Sequence, residues 1–313
     1  MKPNLFSIFG IDVPAYFGML ATGLALATWI GSRWVSRLGR DREVIIDLGL
    51  AATIWGVIGS RILHVFADGY FWDYVHACTD PSLVDWHITL EQCRSSAFDG
   101  TWDAARSVCH PKERNCFAWA AFWAGGLTYY GGLIAATVYA WFFLRREKFP
   151  FFKAADMAGF AIPLGLAWGR MGCFLAGCCF GRVCHQPWAA EFPRWSPAWD
   201  LHLRDHRIER AATHALSVHP TQLYEAIGSL VIAVLAYAYV APRKRFDGQV
   251  FVFFVAAYGV LRFVLEFLRE DDRGGVLGVS TSQWISIALI AAALGSVRWL
   301  KQLSATRELT SLR

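Results

Sequence analysis

The chain has 313 residues, 55% of them hydrophobic and 15 of them tryptophan, with a mean hydropathy of +0.33. This is too apolar for a soluble protein of one or two ordinary domains. The formal net charge of +5 sits in clusters beside apolar runs, without a basic groove of interleaved aromatics, so no nucleic-acid partner is expected.

Crossing about 30 Å of hydrocarbon takes about 20 apolar residues. The pattern predicts seven such segments, at about 12–32, 44–66, 118–144, 154–177, 221–241, 248–268 and 277–297. The expected fold class is therefore all-α: a single polytopic transmembrane domain over 1–313 with seven spanning helices. The first segment contains LALAT (Leu24 to Thr28), which resembles a signal-peptide cleavage region. Only Lys2 precedes it, whereas Arg33, Arg37, Arg40 and Arg42 follow, so a retained helix with its trailing loop in the cytoplasm is expected.

The second segment ends near Arg61 and His64, and the polar insert at 67–117 follows with Cys78, Cys93, Cys109 and Cys116. In an oxidising compartment these four are expected to pair as disulfides, with three pairings open. Basic residues then mark the cytoplasmic loops: RREK (Arg145 to Lys148) with Lys153, RKR (Arg243 to Arg245), and Arg298, Lys301, Arg307 and Arg313 around the tail at 299–313. The N-terminus is thus expected outside, the C-terminus inside, and the insert and the 178–220 loop outside. Trp188, Trp195 and Trp199 of that loop are expected at the outer interface.

With about 1.5 Å of rise per residue, this topology places the polar residues of the helices in one leaflet. Tyr16, Arg61, His64, Tyr129, Tyr130, Arg170, Cys173, Gln222, Tyr224, Glu225, Arg262 and Glu266 all fall in its outer half. Ionisable residues at such depth usually face a polar cavity. Arg61 and Arg269, near helix ends, are equally readable as snorkelling to the headgroups. Arg170 and Arg262 lie deeper, and for them a site is the stronger reading. Arg262 and Glu266 are four apart, on one helical face where they pair, leaving other guanidinium donors for a ligand. Two arginines at that depth suit a lipid phosphate, whose oxygens match the guanidinium fork.

Glycines in GRMGCFLAGCCFG (Gly169 to Gly181) and YYGGL (Tyr129 to Leu133) suggest close helix packing. HPTQLYE (His219 to Glu225) has the grammar of a helix start; either it is a cap with an interfacial aromatic, or Gln222 and Glu225 line the cavity. For Cys173, Cys178, Cys179 and Cys184 several roles compete: apolar packing, first for Cys173; a disulfide bracing the loop, preferred for the other three; catalytic thiol chemistry; and metal binding, which is not expected because the spacing matches no common zinc pattern.

Six blocks in order resemble the bacterial prolipoprotein diacylglyceryl transferase family: PAYFG (Pro14 to Gly18), IGSR (Ile58 to Arg61), YGGLI (Tyr130 to Ile134), GRMGCFLAGCCFGR (Gly169 to Arg182), HPTQLYE, and YGVLRFVLEFLR (Tyr258 to Arg269). The resemblance implies transfer of a diacylglyceryl group from phosphatidylglycerol to the lipobox cysteine thiol of a preprolipoprotein in the bacterial cytoplasmic membrane, at a site facing the outer leaflet. Lipobox peptides and membrane lipids would be the partners, with no metal or organic cofactor. It implies essential roles for Arg170 and Arg262, with Glu266 as the carboxylate partner of the second, and roles for Tyr16 and Gly181. The family block reads G-R-x-G-N-F-x-N-G-E, so Cys173, Ala176 and Cys178 here replace two asparagines and a glutamate, and Tyr130 replaces a histidine. With that histidine gone, Tyr130 and His64 are the remaining proton acceptors. Competing functions are an altered homologue that only binds an anionic lipid or lipoprotein, and a membrane thiol–disulfide protein; a transporter fits less well, since transport sites lie near the midplane.

Overall fold

The computed structural model describes residues 4–8, 11–86, 88, 90–94, 99–122, 126–270, 274–276 and 278–311. Lys2 and Arg313, used in the topology argument, and parts of the 67–117 insert lie outside the described residues. The chain is mostly helical and divides into two compact units, 1–46 with 148–313, and 47–147.

The first unit opens with a short hairpin, β1 (Asn4–Ile8) and β2 (Ile11–Pro14), leading into α1 (Ala15–Arg37). Next, α2 (Glu43–Ala67) starts in this unit and continues into the second. The second unit then holds α3 (Phe71–Thr79), α4 (Leu90–Cys93), the hairpin β3 (Gly100–Asp103) and β4 (Val108–Pro111), and α5 (Tyr129–Arg146). The first unit resumes with α6 (Phe151–Ala176), α7 (Pro197–Arg204), α8 (Thr221–Leu235), α9 (Gln249–Glu266), the hairpin β5 (Gly275–Val276) and β6 (Val279–Ser280), and α10 (Thr281–Ser311).

Six of the described helices are long and apolar enough to cross a membrane: α1, α2, α6, α8 extended through a π-turn to Arg243, α9 and α10. Their outward side chains are apolar yet exposed, as with Ile54, Phe66, Ile227 and Leu294, which suits contact with lipid. The third expected span, 118–144, is corrected. Its helix begins only at Tyr129: Ala118–Ala120 form a separate 3-10 turn, and residues 126–128 just before α5 are not helical. Arg61 accounts for this, taking the carbonyls of Ala118, Trp119 and Gly126 that a helix would have used itself.

α6 is the centre of the first unit, packing against α1, α8 and α9. The contacts are close because small residues stand at the crossings. A Cβ added to Gly159 would lie 2.7 Å from the Val250 backbone of α9, and one added to Gly23 of α1 would lie 2.7 Å from Trp168 Cβ. Without a hydrophobic driving force between helices in lipid, such van der Waals fit supplies much of the association. At the α6 N-terminal end, the fully buried Asp156 accepts from Lys244 Nζ at 2.7 Å and from the Val250 amide at 2.8 Å, tying α6 to the start of α9.

The 178–220 segment builds its own small core from Phe180, Phe192, Ala198, Trp199, Ala215 and Val218. Trp199, expected at the interface, is instead buried there, its indole N–H donating to the Ala212 carbonyl at 2.9 Å; Trp188 and Trp195 are exposed. In the second unit the four insert cysteines are disulfides, Cys78–Cys116 and Cys93–Cys109. The YYGGL stretch packs as expected: a Cβ on Gly131 would lie 2.3 Å from the Gly59 carbonyl oxygen of α2.

Candidate active site

Arg170 stands two turns before the end of α6, which closes at Gly177 in the left-handed region (φ 73°) with that amide donating to the Cys173 and Phe174 carbonyls. Gly172 brings α1 against this turn, since a Cβ there would lie 3.0 Å from Tyr16 Cα. Tyr16 is partly exposed.

The first turns of α8 supply the carboxylate. Glu225, 1% exposed, pairs with Arg170 Nε at 3.0 Å, stands 4.0 Å from an Arg262 terminal nitrogen, and accepts from the Tyr258 hydroxyl at 2.8 Å. Tyr258 and Arg262 lie one turn apart on α9, so both reach the same carboxylate. One further turn on, Glu266 pairs with the other Arg262 terminal nitrogen at 3.0 Å and accepts from Ser280 Oγ at 3.0 Å. Ser280 is at the same time the cap of α10, exchanging bonds with Gln283 in a capping box.

The loop after α6 is laced to α8. Gln222 Nε2 donates to the Cys178 carbonyl at 2.7 Å, and Thr221 Oγ1 to that of Cys179 at 2.9 Å. The Gly181 amide donates to the His219 carbonyl at 2.9 Å, and a Cβ at Gly181 would lie 2.4 Å from the Leu268 carbonyl oxygen. Only glycine fits where the signature loop meets the end of α9.

Charge balance within this cluster leaves donors over. Arg170 is engaged through Nε alone, its side chain is one-fifth exposed, and its terminal nitrogens have no partner among the described residues. Both terminal nitrogens of Arg262 are buried, meeting carboxylates without a well-directed hydrogen bond. Buried guanidinium donors left without hydrogen bonds are costly, and an anion with several acceptor oxygens satisfies them.

The structure thus brings together Tyr16, Arg170, Cys173, Gly181, Gln222, Glu225, Arg262 and Glu266. Gln222 and Glu225 are buried parts of the cluster, beyond a simple cap and anchor. Sequence reasoning assigned Arg262 to Glu266 and missed that Glu225 serves both arginines; it also missed Tyr258, whose signal was its spacing of four from Arg262. The loop disulfide expected for Cys178, Cys179 and Cys184 is not formed: all three, with Cys173, are free thiols.

The remaining expected residues belong to the second unit. Arg61, buried and stacked over Tyr74, donates to three backbone carbonyls, so it organises its own segment. His64 Nδ1 meets Asp68 Oδ2 at 3.0 Å, and Asp68 also accepts from Thr128 Oγ1. These bonds hold the Asp68 carboxyl below its ordinary pKa, with the Thr128 hydroxyl the larger cause. Tyr130 lies exposed in the first turn of α5.

A family model described as prolipoprotein diacylglyceryl transferase matches residues 3–88 and 107–299. The unmatched stretch between falls in the insert that carries Cys93. A phosphatidylglycerol–prolipoprotein diacylglyceryl transferase of Clostridium tetani is 26% identical over 290 residues, covering 93% of this chain and 94% of that protein. One from Vibrio cholerae is 27% identical over 304 residues, covering 96% and 91%. One from Bordetella parapertussis is 36% identical over 177 residues, covering 55% and 61%. Matched along most of its length, with the two arginines of the shared motifs gathered on one buried carboxylate, the chain belongs to the prolipoprotein diacylglyceryl transferase family.

Proposed function

We propose that this protein transfers the diacylglyceryl group of phosphatidylglycerol to the cysteine thiol of a preprolipoprotein lipobox, forming a thioether and releasing glycerol phosphate. The observation that carries this reading is Arg170, fixed through Nε by Glu225 while its partly exposed fork has no partner among the described residues. Such a fork suits a lipid phosphate.

The lipobox thiolate attacks the glycerol carbon that bears the phosphate, forming the C–S bond. The C–O bond to phosphorus breaks, and its electron pair leaves on the phosphate oxygen of glycerol phosphate. Arg170 and Arg262 stabilise that developing charge. Glu225 and Glu266 are positioning residues that keep the guanidiniums in place, and Tyr258 orients Glu225. Tyr16 and the turn around Cys173 and Gly181 line the lipid side. The thiol proton goes to a base, for which His64 is the first candidate, since Asp68 orients its ring as a carboxylate orients a general-base imidazole. Tyr130, in the place of the family histidine, is the second.

In this reading α5 supplies a seventh membrane helix beside the six, the N-terminus faces outward, the C-terminus inward, and the site opens to the outer leaflet of the bacterial cytoplasmic membrane. The basic loops support that orientation. The test is transfer of labelled diacylglycerol from phosphatidylglycerol to a synthetic lipobox peptide by the purified protein. Turnover lost in Arg170→Gln is expected. Full activity in that variant removes the phosphate clamp; no turnover in the unaltered protein, with phosphatidylglycerol still bound, leaves a lipid-binding homologue. Comparing His64→Asn with Tyr130→Phe assigns the base.

A further inference from the structure

Beside Arg170 lies a cluster of thiols to which the transfer reaction assigns no chemical step. Cys173 occupies the last turn of α6, and Cys178 and Cys179 follow its cap, so the three Sγ atoms lie within 4.8 Å of one another. Cys173 is buried and the other two are half-buried.

The convergence is built into the backbone. Gly177 at φ 73° and Cys179 at φ 63° both take the left-handed conformation, curling the chain back over the helix end. For a cysteine that conformation is strained and persists only where surroundings over-determine it. Here they do: Gln222 and Thr221 hold the carbonyls of Cys178 and Cys179, and the Cys178 amide donates to the Cys173 carbonyl at 3.1 Å.

We propose that Cys173, Cys178 and Cys179 form a site for one thiophilic cation, of the class of Zn(II), Cd(II) or Cu(I). Soft thiolates select such ions. A cation centred in an equilateral triangle with the 4.8 Å limit as its edge sits about 2.8 Å from each sulfur, so each sulfur moves inward by about 0.5 Å to reach the usual metal–sulfur distance of about 2.3 Å. Three thiolates around a divalent ion leave one negative charge, and the Arg170 guanidinium, which acts electrostatically on Cys173 and Cys179, compensates it. A disulfide uses two sulfurs and leaves the third without a role; three converging donors match a cation. Cys184, the other free thiol, stands outside the cluster.

The test uses the full chain in detergent, stripped with a chelator under conditions that keep the insert disulfides, and titrated with Cd(II). One Cd(II) per chain is expected, with an ultraviolet thiolate-to-cadmium charge-transfer band. That band should be absent in Cys173→Ser/Cys178→Ser/Cys179→Ser, weaker in each single variant, and unchanged in Cys184→Ser. A thiol count on the denatured protein completes the experiment. The proposal is overturned if the unaltered protein shows no band, if the triple variant keeps it, or if two of the four thiols prove to be oxidised. The readout is spectroscopic, so it stands whether or not the transferase assay succeeds.

Discussion

Replacing Glu225 by Gln keeps the side-chain shape and removes the charge that both arginines share. Glu225 is 1% exposed, with Arg170 Nε at 3.0 Å and an Arg262 nitrogen at 4.0 Å. Deleting one partner of a buried ion pair costs about 3–5 kcal/mol, mainly through the charge left uncompensated. Arg170 is one-fifth exposed and recovers part of that through water, so about 3 kcal/mol is the expected scale. If the loss falls on the placement of the two guanidiniums, then at about 1.4 kcal/mol per tenfold the variant loses about 100-fold in kcat/KM. The assay is diacylglyceryl transfer to a lipobox peptide in detergent or nanodiscs, varying phosphatidylglycerol so that kcat and KM separate. A positioning role predicts that kcat falls, because the phosphate gains charge only as the C–O bond breaks. Tyr258→Phe, which removes one hydrogen bond to Glu225, should lose about tenfold or less. A folded Glu225→Gln protein within twofold of the parent would refute the shared-carboxylate argument.

Asp156→Asn removes the carboxylate between Lys244 and the Val250 amide; stability in detergent should fall by about 3 kcal/mol, while the activity of the remaining folded protein is unchanged, as thermal melting beside the transfer assay will show. Gly181→Ala puts a Cβ 2.4 Å from the Leu268 carbonyl oxygen, and the displaced backbone should cost about 1–3 kcal/mol together with activity; a fully active variant would mean that the loop and the α9 end move apart freely. His202 is buried, its Nδ1 accepting from the Leu216 amide at 3.2 Å, and burial, then the nearby Arg207 charge, pushes its pKa below the ordinary value. The folded loop therefore holds the neutral ring while the unfolded chain takes up a proton first. Its stabilising contribution is complete above about pH 6.5 and is lost as pH falls from there through the folded value. Hydrogen-exchange protection across 178–220, corrected for the pH dependence of the intrinsic exchange rate, should fall on acidification through that window, and His202→Gln should flatten the dependence.

Much of this protein was determined by properties local to the chain. Runs of apolar residues set the positions of α1, α2, α6, α8 and α9 to within about five residues, and the start of α10 but not its end at Ser311, because the bilayer demands a minimum length of hydrocarbon-compatible helix. Arg262 and Glu266 were legible as a pair because a helix places residues four apart on one face. Disulfides in the insert followed from its cysteine content, but Cys78–Cys116 and Cys93–Cys109 were chosen by where the β3–β4 hairpin and α3 lie. The start of α5 was misjudged from hydropathy, which carries no record that Arg61 takes the carbonyls of residues 118, 119 and 126. Trp199 looked interfacial by type, yet the 178–220 loop closes a core around it. The sharing of Glu225 by Arg170 and Arg262, and the meeting of three thiols at the end of α6, depend on the rotation of each helix about its axis and on how closely the helices approach. Those are set by small residues at the crossings and by the cap at Gly177, relations between distant segments that periodicity along one segment does not encode.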